Sequence, residues 1–284
     1  MKIDRNTHYH NFGFIPNGDF PHDLYGKLFG HPNLMKRLQA RDIIRALDIQ
    51  PGDVVLDFGC GVGYFTVELA KLAKMTYGID INPYIEQIDI PSSLKNNLKF
   101  IVVSGEQLPF DDNTFDRVLA SEILPMVPDA NFFLKEIYRV LKPEGKLVIS
   151  NGTGHPVLRE AFEKRSWFFR RLESKYSQRM PKSYEHYCEI LQNSFGTSRK
   201  DFLQENDIRH LLEQNSFTVN SVTYTPGYLV GTYFSWLQFL MYLRTGQTLS
   251  QRRFAINFVF WNFISLFDKH CYKGGLLCDA QKNR

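Results

Sequence analysis

The sequence predicts an α/β protein whose core is a doubly wound parallel sheet. Through the middle of the chain, short apolar runs alternate with segments of helical periodicity, and strands alternating with helices wind into a parallel sheet with ligand sites at the strands' carboxyl ends. The first of these runs, VVLDF, ends in Asp57 and is followed at once by Gly59, Gly61 and Gly63. Bare backbone therefore stands beside a carboxylate at one of those ends.

The elements follow in order. NLMKRLQARDIIRALD (33–48) carries apolar residues at helical spacing and stops before Pro51-Gly52. VVLDF reads as a buried strand and TVELAKLA as the helix after the glycines. MTYGIDI, LKFIVVSG, FDRVLASE and KLVISN are four further strand-like runs, with the helical pattern NFFLKEIYRVL between the last two. After Asn151 the rhythm loosens. DIRHLLEQNSF gives a later helix, FTVNSVTY a strand and GGLLCDAQK the last strand. These runs divide the chain into an N-terminal cap (1–32), a core (33–224) with a substrate-side insert (152–200), an aromatic helical insert (225–272) and the final core strand (273–284).

Composition narrows the function classes. The 284 residues include 34 basic and 30 acidic side chains, a net charge of +4 too slight and scattered to make nucleic acid the partner. The four cysteines (Cys60, Cys188, Cys271, Cys278) form no CxxC pair, which points away from a zinc or disulfide framework and toward a reducing, cytoplasmic compartment. No metal site is expected. The start, MKIDRNTHYHNFGF, lacks the apolar core of a signal peptide, and no apolar run is long enough to span a bilayer.

The glycine loop fits neither familiar phosphate cradle. A dinucleotide fingerprint needs GxGxxG, but the third glycine falls one residue early and Tyr64 stands in its place; a P-loop needs a Gly-Lys-Ser/Thr that is absent. Asp57 would repel phosphate and welcome a cation, so the ligand is expected to be a nucleoside carrying a positive group. Asp80, at the end of the next strand in GIDIN, is placed to accept hydrogen bonds from both hydroxyls of a ribose. Asp116 is expected to serve structure at the start of its strand.

With these residues the sequence resembles the class I S-adenosylmethionine-dependent methyltransferases, in particular the small-molecule and lipid-modifying branch with a type 11-like methyltransferase domain. The resemblance is strong over about 50–150 and weaker over 201–224 and the final strand. It implies a Rossmann-like, seven-stranded sheet, mostly parallel with an antiparallel last strand, under a helical aromatic lid. VLDFGCGVG is similar to the family's first motif, which implies that Asp57 meets the methionine amino group and that Gly59, Cys60, Gly61 and Gly63 line the cofactor. GIDIN looks like the ribose motif and brings Asp80 and Ile81. SGEQLPFDDNTFDRVLASEIL is similar to the third and fourth motifs, which implies that Glu106, Gln107 and Leu108 lie against adenine and that Ser121 follows the fourth strand. FLKEIYRVLKPEGKLVIS matches the helix, turn and fifth strand. Two departures stand out: Ser104, where the family often has an acid, and Pro125, where it often has a histidine.

The implied cofactor is S-adenosyl-L-methionine, with S-adenosyl-L-homocysteine as product, and the implied reaction is methyl transfer to a small molecule. A lipid, quinone, polyketide or lipid-linked sugar suits the apolar segments. The alternative is a cofactor-binding subunit without turnover, or an enzyme using the same cofactor for non-methyl transfer. An alcohol or phenol acceptor needs a general base, for which His155 after the fifth strand and Glu122 after the fourth are the candidates. GTYFSWLQFLMYL and FAINFVFWNFISLF, joined by the basic RTGQTLSQRR, are too short to cross a bilayer. They suit a helical lid, a homodimer face, a greasy tunnel or a peripheral membrane contact through 228–268.

Overall fold

The computed structural model describes residues 34–61, 63–88, 90–103, 107–152, 205–225 and 275–283. The N-terminal cap, both inserts apart from Gly152 and Thr225, and the candidates Glu106 and His155 lie outside the described residues. The chain divides into two compact units, of which the first comprises Met1–Gly152, Leu203–Thr223 and Leu276–Arg284 and holds nearly the whole sheet; the second comprises Thr153–Phe202 and Tyr224–Gly275.

Seven strands form one sheet: β1 (Val54–Phe58), β2 (Met75–Asp80), β3 (Leu98–Val102), β4 (Phe115–Ser121), β5 (Leu141–Gly152), β6 (Phe217–Tyr224) and β7 (Gly275–Lys282), in the order β3-β2-β1-β4-β5-β7-β6. The pairs β1/β2, β1/β4, β2/β3 and β4/β5 are parallel. The last strand reverses. Between β6 and β7 the bonded pairs Thr218–Asn283, Asn220–Asp279 and Thr225–Gly275 count in opposite directions, as do Glu144–Gln281 and Lys146–Asp279 between β5 and β7. β7 is therefore antiparallel to both neighbours.

Four helices are described: α1 (Leu34–Leu47), α2 (Tyr64–Ala70), α3 (Ala130–Val140) and α4 (Glu205–Gln214). α1 ends where Asp48 turns left-handed at φ 50°. It packs Ile43 and Leu47 with Val55, Leu69, Leu119, Val148 and Leu277 into one core cluster. α3 starts at Asp129, whose carboxylate accepts from the backbone N–H groups of Asn131 and Phe132 at 2.8 and 3.1 Å. Its Phe133, Leu134, Ile137 and Val140 are buried, with Phe133 edge-on to Phe58 of β1. A parallel strand buried on both faces needs continuous apolarity, which Val54, Val55 and Leu56 in β1 and Val118, Leu119 and Ala120 in β4 supply.

One boundary differs from expectation. β5 begins at Leu141 rather than near Lys146, because Leu141 already pairs with Phe115 and the KPEG segment is taken up in a register irregularity opposite Phe115–Arg117. Glu144 absorbs the bend at φ 62°. Asp116, as expected, serves structure: its carboxylate accepts from the Val54 N–H and from Lys142, both at 2.8 Å.

Candidate active site

In a doubly wound sheet the ligand crevice opens where the strand order reverses, beyond the carboxyl ends of the strands. Here that point lies between β1 and β4. β1 delivers Asp57 to it, 1% exposed, with the Thr66 hydroxyl of α2 donating to its carboxylate at 2.6 Å. Burial, only partly offset by the Thr66 bond and reinforced by Asp80, pushes Asp57 up to about 7. A carboxyl kept so far from water gains most from a cationic ligand.

Gly59, Gly61 and Gly63 all hold positive φ, at 71°, 53° and 76°, so the loop reverses in a way side chains resist. Its turn is tied to β2, because the N–H groups of Gly59 and Cys60 both donate to the Ile79 carbonyl at 2.9 Å. A Cβ on Gly59 would meet Ile123 Cδ1 at 2.8 Å, so the segment after β4 lies directly against this loop. Gly78 plays a quieter part: a Cβ there would meet Thr66 Cγ2 at 2.8 Å, and its absence lets α2 approach β2 with Thr66 on Asp57. The Cys60 thiol packs with Ile85 and Ile88, and burial, with Asp57 and Asp80 nearby, raises its pKa, so it stays an uncharged group.

Asp80 ends β2. One of its oxygens accepts from the Gly61 N–H at 2.9 Å and the other from the Asn82 N–H at 3.0 Å. Both bonds stiffen the carboxylate and link it to the glycine loop, while each oxygen keeps a lone pair for a ligand hydroxyl. Ile81 beside it is 78% exposed, an apolar surface where a flat ring can lie.

Leu108 is buried and Gln107 exposed. The Leu108 N–H donates to Glu136 of α3 at 2.9 Å, and Arg139 of the same helix donates to the carbonyls of Leu108 and Phe110 and to Glu136 and Asp112. Arg139 holds the Glu136 carboxyl below its usual range. This clamp fixes the 107–112 segment, and sequence reasoning missed it. Its signal was an acid on the otherwise apolar face of an amphipathic helix, followed three residues later by an arginine.

Ser121 closes β4 with its Oγ buried and unpartnered, and Glu122 follows in a left-handed conformation at φ 59°, its N–H bonded to the Ser150 carbonyl at 2.7 Å. A non-glycine residue in that conformation at a strand's carboxyl end marks a place where the surrounding structure imposes the turn. Asp57, the glycine loop, Asp80, Ser121 and Glu122 thus belong to neighbouring strand ends at one crevice.

The fold is Rossmann-like, and a buried carboxyl beside bare backbone suits a ligand with a cationic group better than a bare phosphate. Residues 56–149 match the family described as Methyltransferase domain. The demethylmenaquinone methyltransferase of Geobacillus stearothermophilus is 30% identical over 171 residues, which cover 58% of this chain and 73% of that protein. That of Geobacillus sp. (strain WCH70) is 28% identical over 221 residues, 72% of this chain and 92% of the relative. Among solved structures, a geranyl diphosphate C-methyltransferase from Streptomyces coelicolor superimposes with a TM-score of 0.54 at 15% identity, over 87% of this chain and 79% of that one, a likeness of fold. The chain belongs to the class I S-adenosylmethionine-dependent methyltransferases. It is an enzyme, and S-adenosylmethionine is its cofactor.

Proposed function

We propose that this methyltransferase acts on an oxygenated, lipophilic ring of the quinone class, and that its cofactor is held by the residues at the ends of β1, β2 and β4. The observation that carries the cofactor assignment is Asp57, a carboxyl so desolvated that it sits near 7 until a cation joins it. Asp57 is assigned to the methionine ammonium, Asp80 to the ribose hydroxyls, and Ile81 with Leu108, Gln107 and Glu106 to the adenine. Gly59, Cys60, Gly61 and Gly63 line the cofactor, and Ser121 adds a hydroxyl beside it.

S-adenosylmethionine brings a methyl group already activated on a sulfonium. The protein's own residues therefore have three tasks: to orient the acceptor atom, to exclude water and, for an oxygen-bearing acceptor, to take up a proton. Glu122 and His155 are the candidate bases, each within a few residues after a strand in the sequence.

Support for a lipophilic acceptor comes from relatives named for demethylmenaquinone. The aromatic segments of 228–268 fit the same reading as a lid, a homodimer face or a contact with the membrane surface. The enzyme is then a cytoplasmic one working close to its lipid-dissolved acceptor. Among the described residues no helix is long and apolar enough to cross a membrane.

The test uses methyl-labelled S-adenosylmethionine, the purified protein and a whole-cell extract, with label counted in organic, aqueous, protein and nucleic-acid fractions. Label in the organic phase that comigrates with methylated naphthoquinones supports the proposal; label confined to another phase refutes the acceptor class.

A further inference from the structure

We propose that the carboxamide of Asn151 binds the methyl acceptor through the acceptor's oxygen substituents. Asn151 lies next to the carboxyl end of β5, is 1% exposed, and neither its Nδ2 nor its Oδ1 has a hydrogen-bond partner. Buried amides are almost always paired, so one with both halves orphaned calls for a ligand. Three other side chains among the described residues carry an orphaned buried polar atom, and none matches this. Asn97 leaves only its oxygen unpaired, because its Nδ2 donates to the Ala70 carbonyl at 2.6 Å, and Thr76 sits near the start of β2, away from the crevice. Ser121, the remaining orphan, ends the adjoining strand.

Register places Asn151 at the crevice. Ser121 of β4 pairs with Ser150 of β5, so Asn151 stands one step further, level with Glu122. Its side chain faces away from α1. Val148 packs with Ile43 and Leu47, and Ser150 accepts from Gln39 of α1 at 3.0 Å, so strand alternation turns Asn151 to the opposite face. Strand order sets β5 on the far side of β4 from β1 and β2, so Asn151 stands at the strand ends on the side opposite the acids Asp57 and Asp80, next to the candidate base Glu122.

A carboxamide neither gains nor loses a proton at neutral pH, so its part is orientation. Its Oδ1 suits a hydroxyl and its Nδ2 an adjacent carbonyl or phenolate oxygen, a pairing found on an oxygenated ring. This inference rests on the acceptor class proposed above.

The experiment compares wild type, Asn151→Leu, which keeps the shape and removes both polar atoms, and Asn151→Gln, which keeps the carboxamide. Three quantities are read: the thermal midpoint, the Kd for S-adenosylmethionine, and kcat/KM for label transfer into whichever extract fraction accepts it. The leucine variant is expected to unfold no earlier than wild type, to bind S-adenosylmethionine with unchanged Kd, and to lose roughly ten- to a hundredfold in kcat/KM, with the glutamine variant in between. A leucine variant within twofold of wild type in kcat/KM overturns the assignment, whatever phase holds the label; should that variant fail to fold, the glutamine variant at wild-type KM does the same. The phase itself reports separately on the acceptor class. No transfer by wild type into any fraction overturns both.

Discussion

The Thr66 hydroxyl donates to the carboxylate of Asp57 at 2.6 Å, and both groups are buried. That one bond joins α2 to the end of β1 and is the main influence opposing the desolvation of Asp57, which nonetheless sits at about 7. Two consequences follow for pH.

Cofactor affinity is expected to rise with pH. An ammonium pairs with the ionised form of Asp57, which is the minor species at pH 6 and the major one at pH 8 when the group titrates at about 7. The Kd for S-adenosylmethionine should tighten by up to about tenfold per unit below the midpoint, and weaken again at higher pH as the cofactor's own ammonium loses its proton. Titration calorimetry from pH 6 to 9 reads the slope. Asp57→Asn should weaken binding and flatten the profile.

Stability of the cofactor-free protein should run the other way. Between 3.8, the ordinary value of the group, and about 7 the folded state holds a proton on Asp57 that the unfolded chain has released. The folded state then binds more protons, so stability falls as pH rises through that window and stays low above it. Asp57→Asn should therefore stabilise the cofactor-free protein at pH 8, by about 2–4 kcal/mol, and change little at pH 4. Urea unfolding at the two pH values decides it; an unstabilised variant at pH 8 would mean that Asp57 is ionised at little cost.

Gly59→Ala should cost about 1–3 kcal/mol of stability, since the new Cβ meets both a left-handed backbone at φ 71° and Ile123 Cδ1 at 2.8 Å. Ile123→Ala in the same chain removes the clash but not the backbone strain. The double variant should recover part of the loss, and full additivity in a double-mutant cycle would show that the two residues do not press on each other.

The clamp from α3 gives a fourth expectation. Glu136→Ala frees the Leu108 N–H and leaves Arg139 with one acid fewer, so the 107–112 segment loosens. Affinity for S-adenosylmethionine is expected to fall severalfold, with the midpoint of thermal unfolding lowered as well. Because the Glu136 carboxyl is held below its ordinary 4.5, the stability it contributes is present above that value and is lost as pH falls through its folded one.

Lys282 near the chain's end should prove structural. Its ammonium donates to Asn113 Oδ1 and to the carbonyls of Tyr138 and Leu141 at 2.6–2.9 Å and lies 4.6 Å from the centre of the Tyr138 ring. Lys282→Met keeps the stem and leaves those acceptors without their donor, at a cost of about 2–4 kcal/mol. Denaturant unfolding reads the loss, and cofactor affinity should not change.

Much of this was legible in the sequence because short-range rules govern it. The apolar runs ending in Asp57 and Asp80, and the glycines between them, set two strand ends and one loop, and each is a local pattern. The start of β5 was not legible, since Pro143-Glu144-Gly145 reads as a turn and only the pairing of Leu141 with Phe115 draws it into the strand. Thr66, Gly78, Glu136 and Asn151 were not legible either. Each acts through a residue distant in the chain or, in Asn151, through the lack of any partner, and such facts appear only when the strands are laid side by side.

The central claim is that the acids ending β1 and β2 hold S-adenosylmethionine. Its most direct test is calorimetric titration of the cofactor at pH 8 into wild type, Asp57→Asn and Asp80→Asn, each checked for a cooperative unfolding transition. The account predicts micromolar binding to wild type and at least about tenfold weaker binding to each variant, the measure of a lost charge-assisted contact. Binding that neither substitution weakens, in proteins that remain folded, would contradict it.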